Sequence, residues 1–163
     1  MTSDAHQFRH PIIRTTELQD IPSLYEVRAG TRQNAIPREQ LIEWGITPES
    51  TAEGFSSGAL VGRVCEIDGR VVGFCSGDTS TGEVLVLAVL PEWEGKGIGR
   101  ALLDGVVLEL ERRNLSRLWL ACSPDPRSRS HGFYRANGWR DSGRKSDNGD
   151  EILVLSCAER TTP

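Results

Sequence analysis

The sequence lacks the patterns of several protein classes. Its four cysteines never take the Cys-x-x-Cys spacing of zinc sites and redox motifs. No apolar run approaches the roughly 18 residues of a membrane-spanning helix, and the first residues lack the charged-then-apolar pattern of a secretory signal. These absences argue against a zinc-binding, secreted or membrane-spanning protein, and we expect a cytoplasmic chain. The cysteines that we expect as buried, reduced thiols are Cys65, Cys75, Cys122 and Cys157.

Net charge and chain length limit the class of protein and the number of domains. The net charge of −4 argues against a nucleic-acid-binding domain and is compatible with a cationic amine as substrate. A chain of 163 residues without internal repeats or low-complexity linkers suits one domain with one core. We therefore expect a single domain over residues 11–157, between a flexible N-terminus (1–10) and a flexible tail (158–163).

Hydrophobic periodicity and turn residues predict alternating strands and helices. Asp20 is predicted to cap the first helix, Thr47 to cap the third, and Asp68-Gly69 to form a two-residue hairpin turn. The predicted helices cover 21–32, 38–44, 48 onward, 97–113 and 128–137. The predicted strands cover 11–15, 59–67, 70–77, 83–90, 117–122, 139 onward and 151–157. The segment 83–122 thus reads as a βαβ unit.

Three alternating glycines follow the strand at 83–90. Gly95, Gly97 and Gly99 leave the backbone free to close around a ligand and to aim successive N–H groups at phosphate oxygens. The next helix adds the positive end of its dipole to that field. Its apolar stripe recurs every four residues, at Ile98, Leu102, Val106 and Leu110. The segment therefore predicts an anion-binding loop on a rigid unit.

Other readings of these glycines fit less well. A P-loop requires Ser or Thr after Gly-Lys, whereas Gly97 follows Gly95-Lys96. The dinucleotide fingerprint requires a glycine where Arg100 stands and normally follows the first strand of its domain. A tight strand-to-helix turn without any ligand remains the structural alternative.

Two ordered motifs resemble one known family. Residues 87–103, LAVLPEWEGKGIGRALL, resemble the acetyl-CoA motif of the GCN5-related N-acetyltransferase (GNAT) superfamily. Residues 133–139, FYRANGW, resemble its second signature, an aromatic-Tyr pair before a Gly-aromatic strand entry. The resemblance covers about residues 59–156 and extends more faintly to 12–33. It implies an α+β fold with three α/β/α layers around a mixed, mostly antiparallel sheet of six to seven strands.

The resemblance also implies which residues bind acetyl-CoA, with no metal. Most contacts would come from backbone amides, and Lys96 and Arg100 would supply positive charge nearby. Glu94 departs from the family, which usually has Arg or Gln there. A side chain that points to solvent would be tolerated at little cost, so we expect cofactor binding to survive. Arg127 stands where many members have Asn, and Arg129 is a second arginine near it. The implied cofactor-binding residues are Leu87, Ala88, Val89, Gly95, Lys96, Gly97, Ile98, Gly99, Arg100, Arg127 and Tyr134.

Acetyl transfer to an amine sets three chemical requirements. An alkyl amine with a pKa of about 10.4 is protonated at neutral pH, so a base must take its proton. Glu83 is the candidate base, with Asp78 and Glu151 as rivals. The backbone N–H groups of Ala88 and Val89 would stabilise the oxyanion if the strand bulges there, as is typical of the family.

The third requirement is a proton for the departing thiolate. The phenol of Tyr134 is the candidate donor, and a packing role beside Phe133 is its structural alternative. Helix geometry directs these two neighbours about 100° apart, so that one can pack while the other faces the cleft.

The expected function is an N-acetyltransferase that moves an acetyl group from acetyl-CoA to a primary amine by direct attack in a ternary complex. Tyr25, Arg28, Arg32 and Trp44 lie in the segment expected to border the acceptor. The sequence does not choose among protein N-termini, polyamines, amino acids and antibiotics, and it is compatible with a homodimer. The alternative is a noncatalytic acyl-CoA-binding or sensing module, and neither reading involves nucleic acid or a membrane.

Overall fold

A computed structural model describes residues 10–157. The predicted flexible tail at 158–163, and all of the predicted flexible N-terminus except His10, lie outside these residues. The helices are α1 (Ile21–Ala29), α2 (Arg38–Glu43), α3 (Pro48–Ser57), α4 (Ile98–Arg112) and α5 (Arg129–Ala136). The strands are β1 (Ile12–Thr15), β2 (Leu60–Ile67), β3 (Arg70–Asp78), β4 (Val84–Val89), β5 (Arg117–Cys122), β6 (Arg140–Lys145) and β7 (Glu151–Ser156).

The first four strands form one antiparallel sheet in the order β1-β2-β3-β4. The predicted hairpin turn between β2 and β3 is confirmed, since Asp68 and Gly69 both have positive φ, 51° and 78°. Helix α4 covers one face of this sheet through side chains that are fully buried, such as Leu102 and Val106. Helices α1 and α3 cover the other face. The predicted three-layer arrangement is therefore confirmed.

The last three strands form a second antiparallel sheet in the order β5-β7-β6. Within residues 10–157 an isolated parallel bridge between Glu83 and Trp119 joins the two sheets. The Trp119 amide donates to the Gly82 carbonyl at 3.1 Å beside it. Strands β4 and β5 therefore start side by side and run in the same direction, as the predicted βαβ unit requires, but they separate beyond the bridge.

The N-terminal segment differs from the sequence predictions in two respects. Helix α1 ends at Ala29 rather than near residue 32. The Gly30 amide donates to the Val27 carbonyl in a tightened last turn, and the chain then folds back so that the Ile36 amide donates to the Arg28 carbonyl. Asp20 does not cap this helix with its side chain, because its carboxylate is bound by the Arg14 guanidinium at 2.8 Å. The predicted cap at Thr47 is confirmed by its 3.0 Å bond from the Ser50 amide.

The burial of the cysteines and the composition of the helices bear on the sequence predictions. Cys65, Cys75 and Cys122 are buried thiols, as expected, and Cys157 is half-buried. No helix within residues 10–157 combines the length and the apolar composition that crossing a bilayer requires.

Candidate active site

A cleft opens between β4 and β5 beyond the Glu83–Trp119 bridge. The Leu90 amide donates to the Val72 carbonyl at 2.9 Å, on the side of β3. Because N–H directions alternate along an antiparallel strand, the Ala88 amide also faces β3, whereas those of Leu87 and Val89 face the cleft. Of these three residues, Leu87 and Val89 therefore present donors to a ligand in the cleft.

The glycine-rich loop lies where β4 leads into α4. Gly95 and Gly97 have φ values of 73° and 81°, in the region that favours glycine, and a Cβ at either position would point into open space. The six successive backbone amides from Gly95 to Arg100 donate to no acceptor within residues 10–157. Helix α4 begins at Ile98 and adds the positive end of its dipole. The loop thus has the donors and the field of an anion site.

Helix α5 brings Tyr134 to this cleft. Its neighbour Phe133 lies 3.7 Å from the position of a Cβ on Gly99, which places α5 beside the glycine-rich loop. Tyr134 is buried, 9% exposed, between the rings of Phe133 and Trp139. Its hydroxyl makes no hydrogen bond with any residue of the described range, so its proton is available to a ligand. Burial raises the pKa of Tyr134 well above its usual value, and the positive charge of Arg28 opposes that rise.

The bulge in β4 lies away from the predicted position. Ser76 pairs with Val86 and Gly77 pairs with Val84, so that Leu85 is the extra residue. Ala88 remains in regular register with Phe74. The bulge on which the Ala88 and Val89 donors were conditional thus lies at Leu85, and β4 bends nearer its start.

Three carboxylates were predicted as candidate bases, and their surroundings differ. Asp78 accepts hydrogen bonds from Ser80 and Thr81, which lower the pKa of its carboxyl group. Glu151 is bound by the Arg135 guanidinium at 2.7 Å. The Glu83 side chain has no hydrogen bond or ion pair with another residue in the range 10–157, and burial together with the Asp78 charge raises its pKa.

Strand alternation indicates the direction of Glu83. Its neighbour Val84 pairs with Gly77, where a Cβ would point toward α4 and lie 3.0 Å from the Val106 side chain. Successive side chains along a strand point to opposite faces. Glu83 is therefore directed to the face that carries α1 and α3.

The arginines near the loop are arranged differently from the prediction. The guanidinium of Arg127 is exposed and bound to Asp125 at 3.0 Å, away from the glycines. Arg129 instead donates to the carboxylate of Glu94, which also accepts from Arg32 at 3.2 Å. Glu94 is only 16% exposed, so two arginines rather than solvent surround its carboxylate. Two guanidinium groups surround this carboxylate because it meets α5 on one side and the segment after α1 on the other.

A second cavity of about 380 Å³ lies between α1, α3 and the bulged part of β4. We call it the α1–α3 pocket. Tyr25 and Arg28, two residues of the predicted acceptor region, lie in its wall. Trp44 is exposed outside the wall, and Arg32 is engaged with Glu94. The wall also includes Leu24, Phe55, Phe74, Ser76 and Leu85.

The positive charges predicted beside the loop are exposed. The Lys96 residue is exposed, and the Arg100 guanidinium lies 3.9 Å from Asp104 on the outer face of α4. Their roles toward a cofactor stay predictions.

Comparison with protein families decides the classification. The model described as "Acetyltransferase (GNAT) family" matches residues 21–139, which include the glycine-rich loop, Tyr134 and the strands β2 to β5. The chain belongs to the GNAT family.

Solved GNAT structures share the fold over nearly the whole chain. The PaiA N-acetyltransferase of Thermoplasma acidophilum, solved in complex with coenzyme A, is 21% identical with a TM-score of 0.74, covering 90% of this chain and 99% of that one. The putative acetyltransferase yncA of Salmonella typhimurium, solved with its cofactor acetyl-CoA, is 18% identical with a TM-score of 0.69. It covers 94% of this chain and 98% of that one.

Curated GNAT relatives match a shorter segment. An uncharacterized N-acetyltransferase of Archaeoglobus fulgidus is 41% identical over 68 residues, 35% of this chain and 46% of that protein. A mycothiol acetyltransferase of Propionibacterium freudenreichii is 45% identical over 58 residues, 33% of this chain and 16% of that protein. The matches thus span less than half the length of either relative.

Sequence reasoning missed two features of this GNAT site. The Glu94 cluster with Arg32 and Arg129 joins three separate chain segments, and no local pattern reports it. Ser76 is the other omission, since a serine inside an apolar strand run carries no spacing signal. Ser76 is only 8% exposed, and this burial follows from the packing of α1 and α3 over β3, which the sequence does not report.

Proposed function

We propose that this GNAT chain transfers an acetyl group from acetyl-CoA to a primary amine by direct attack within a ternary complex. The observation that carries the proposal is the run of six unpaired amides from Gly95 to Arg100 at the mouth of a cleft that also holds the unpaired Tyr134 hydroxyl. An anion site next to an available proton donor suits a phosphorylated thioester substrate.

Each part of the chain contributes to cofactor binding in this proposal. The amides of the glycine-rich loop hold the diphosphate, and those of Leu87 and Val89 bind along the free edge of β4. Ile98 is 3% exposed and fixes the start of α4, and Lys96 and Arg100 add positive charge around the loop. Arg129 lies beside the loop, but Glu94 binds its guanidinium. Arg127 contributes less, because Asp125 binds its guanidinium.

The residues of the cleft accept and donate the protons that the reaction moves. Glu83 accepts a proton from the amine through a chain of water molecules, because about 20 Å of extended strand separate it from the Val89 amide. Its raised pKa brings it closer to neutral pH, where a general base is most effective. The Val89 amide donates to the oxygen that gains negative charge. Tyr134 donates a proton to the departing sulfur and regains one from solvent.

Acetyl-CoA supplies the activated acetyl group, so no covalent intermediate with the protein is needed. The carbon–sulfur bond breaks and the carbon–nitrogen bond forms. The ammonium nitrogen loses two protons in all, one to the base before attack and one to solvent after the carbon–nitrogen bond has formed, while the sulfur gains one. The positive charge of Arg28 helps to stabilise the tyrosinate that remains after Tyr134 has donated its proton.

The second candidate function is a noncatalytic acyl-CoA-binding or sensing module. Such a module would use the same glycine-rich loop but needs neither an available phenol nor an unpaired carboxylate. Tyr134 and Glu83 meet both needs of catalysis, which favours the transferase.

Two measurements on the full chain test this choice. Calorimetric titration with CoA measures binding, and release of free CoA from acetyl-CoA measures turnover over a panel of primary amines. We expect binding and amine-dependent release, with assays lacking amine or protein as controls for thioester hydrolysis. Binding without turnover on any amine would establish the module, and absence of binding would reject both functions.

A further inference from the structure

The α1–α3 pocket contains a cation without a carboxylate partner. The Arg28 guanidinium is half-buried in the pocket wall, and its hydrogen bond goes to the Asn34 carbonyl at 2.5 Å. Within the described residues 10–157 it forms no ion pair. Removal of a guanidinium from water without a counter-ion is unfavourable, and burial lowers the pKa of Arg28 accordingly. A bound carboxylate would supply the missing negative charge.

Ser76 provides a second polar group in the same wall. Its side chain is 8% exposed, and no residue of the described range forms a hydrogen bond with its hydroxyl. Within residues 10–157 no side-chain oxygen is both fully buried and without a partner, so the Ser76 hydroxyl opens to the cavity and is available to a polar ligand there. Ser76 pairs with Val86 beside the bulge of β4, on the face toward which Glu83 is directed.

Most of the remaining wall is apolar. Leu24, Phe55, Phe74 and Leu85 surround the cavity, and Arg28 is the one charged residue among the lining residues of the described chain. The volume of about 380 Å³ is near the lower end of the ~300–1,000 Å³ range of small-molecule sites. Tyr25, Ser50 and Thr51 also line the cavity, but their hydroxyls already have partners in the protein. A largely apolar enclosure with one cation and one hydroxyl left without a partner fits a small ligand with an apolar side chain and a carboxylate.

We propose that the α1–α3 pocket selects acceptors that carry a free carboxylate beside the reacting amine, namely amino acids with apolar side chains. Arg28 binds the carboxylate, the Ser76 hydroxyl orients the amine, and the apolar wall holds the side chain. The proposal rests on the transferase function above and names its substrate class. The acetyl group passes to the amine nitrogen, and the carboxylate takes no part in bond making or breaking.

The charge of Arg28 also connects this pocket to the reacting centre. Arg28 is near enough to Tyr134 for each charge to affect the pKa of the other group. A carboxylate bound to Arg28 therefore lies near the proposed proton donor. An amine attached one carbon away remains close to that donor, whereas the N-terminus of a protein has no free carboxylate at that position.

Three probes with the same side chain test the proposal. L-leucine carries the carboxylate, L-leucinamide replaces it with a neutral amide, and 3-methylbutylamine lacks it. Their amines differ in pKa, so kcat/KM is compared at equal concentration of the unprotonated amine. We expect the wild-type chain to prefer leucine by about 10- to 100-fold, the range that one charge-assisted hydrogen-bonded contact provides.

Variants assign the preference to Arg28. Arg28→Gln should lose the preference for leucine over leucinamide while CoA affinity stays unchanged, and Arg28→Lys should retain part of it. Arg70→Gln is the matched control, because Arg70 is an exposed arginine near the β2–β3 turn, 3.9 Å from Glu92. Unchanged discrimination in Arg28→Gln, or equal rates for all three wild-type probes, would overturn the carboxylate site.

A binding measurement separates this inference from the proposed function. Leucine and leucinamide are titrated by calorimetry into the chain saturated with CoA. Turnover of other amines with no preference for leucine rejects the carboxylate site alone. Tighter binding of leucine without any turnover rejects the transferase but retains the carboxylate site, and equal binding without turnover rejects both.

Discussion

Arg129 donates a hydrogen bond to the carboxylate of Glu94, although 35 positions separate the two residues in the sequence. Arg32 binds the same carboxylate from the segment that follows α1. Glu94 directly precedes the glycine-rich loop, so one side chain ties this loop to α5 and to the α1 side of the molecule. The acidic residue that departs from the usual GNAT pattern is thus a structural contact with two basic partners.

Replacement of Glu94 by Gln is predicted to leave CoA affinity equal or tighter. The change frees two guanidinium groups from their counter-charge, beside a loop that binds phosphate. The free energy of unfolding should fall by up to about 1 kcal/mol, because both arginines are largely exposed. Calorimetry with CoA and denaturant unfolding measure the two effects. Markedly weaker CoA binding would mean that Glu94 positions the loop.

Replacement of Gly97 by Glu is predicted to weaken CoA binding at least tenfold. The new carboxylate would project from a position with φ of 81° into the space assigned to the diphosphate. Gly149→Glu is the control, since Gly149 has φ of 89° and open space in the turn between β6 and β7. Both variants carry similar backbone strain and the same charge. Equal CoA affinity of the two variants would move the cofactor site elsewhere.

Much of the fold follows from patterns that are local in the sequence. The Asp68-Gly69 turn, the cap at Thr47 and the apolar stripe of α4 each depend on residues a few positions apart, and each was predicted. The split of the sheet and the bulge at Leu85 depend on how β3, β4 and β5 meet. Such long-range pairing leaves no periodic signal in a single sequence.

The same distinction applies to the candidate site. The glycine-rich loop and Tyr134 were predicted from motifs, and the structure brings them to one cleft. Local sequence predicts Asp20 as a helix cap, but its carboxylate is bound by Arg14 on β1, a contact that local sequence does not report. Arg127 and Arg129 are only two residues apart, and their different partners, Asp125 and Glu94, could not be assigned from spacing.

Replacement of Tyr134 by Phe is predicted to lower turnover by about 10²–10⁴ with CoA affinity unchanged. The ring keeps its packing with Phe133 and Trp139, and only the hydroxyl is lost. Burial raises the pKa of this phenol, so the wild-type group remains protonated across the working pH range. Steady-state rates with an identified amine measure the effect. Wild-type turnover in the variant would remove Tyr134 as the proton donor.

Replacement of Glu83 by Gln is predicted to lower the rate by about 10²-fold near neutral pH and to allow partial recovery at high pH. An amine that has already lost its proton needs no base, which explains the recovery. For the wild type, the raised pKa of Glu83 places the acid limb of the rate profile above the usual glutamate value of about 4.3. A uniform decrease at every pH would assign the base to a water chain, Asp78 or Glu151.

Alkaline pH is predicted to destabilise the chain through its buried thiols. Burial raises the pKa of Cys75 in the folded state, so its contribution is fully present below the unfolded-state value of about 8.5 and is lost as pH rises above it. Cys75→Ala should therefore reduce the slope of unfolding free energy against pH above about 8.5. Val64→Ala is the control, because Val64 is equally buried and has no proton to lose. Equal slopes for both variants would contradict the prediction.

The bridge between Glu83 and Trp119 makes the two sheets the arms of a wedge whose vertex is the candidate base. When such a wedge opens by a small angle, each residue moves in proportion to its distance from the vertex. Val89 lies six residues beyond Glu83, about 20 Å along an extended strand. Admission and release of a long cofactor at the glycine-rich end therefore require little movement of the Glu83 carboxylate at the vertex. The position of this base depends little on how far the two sheets separate at the glycine-rich end.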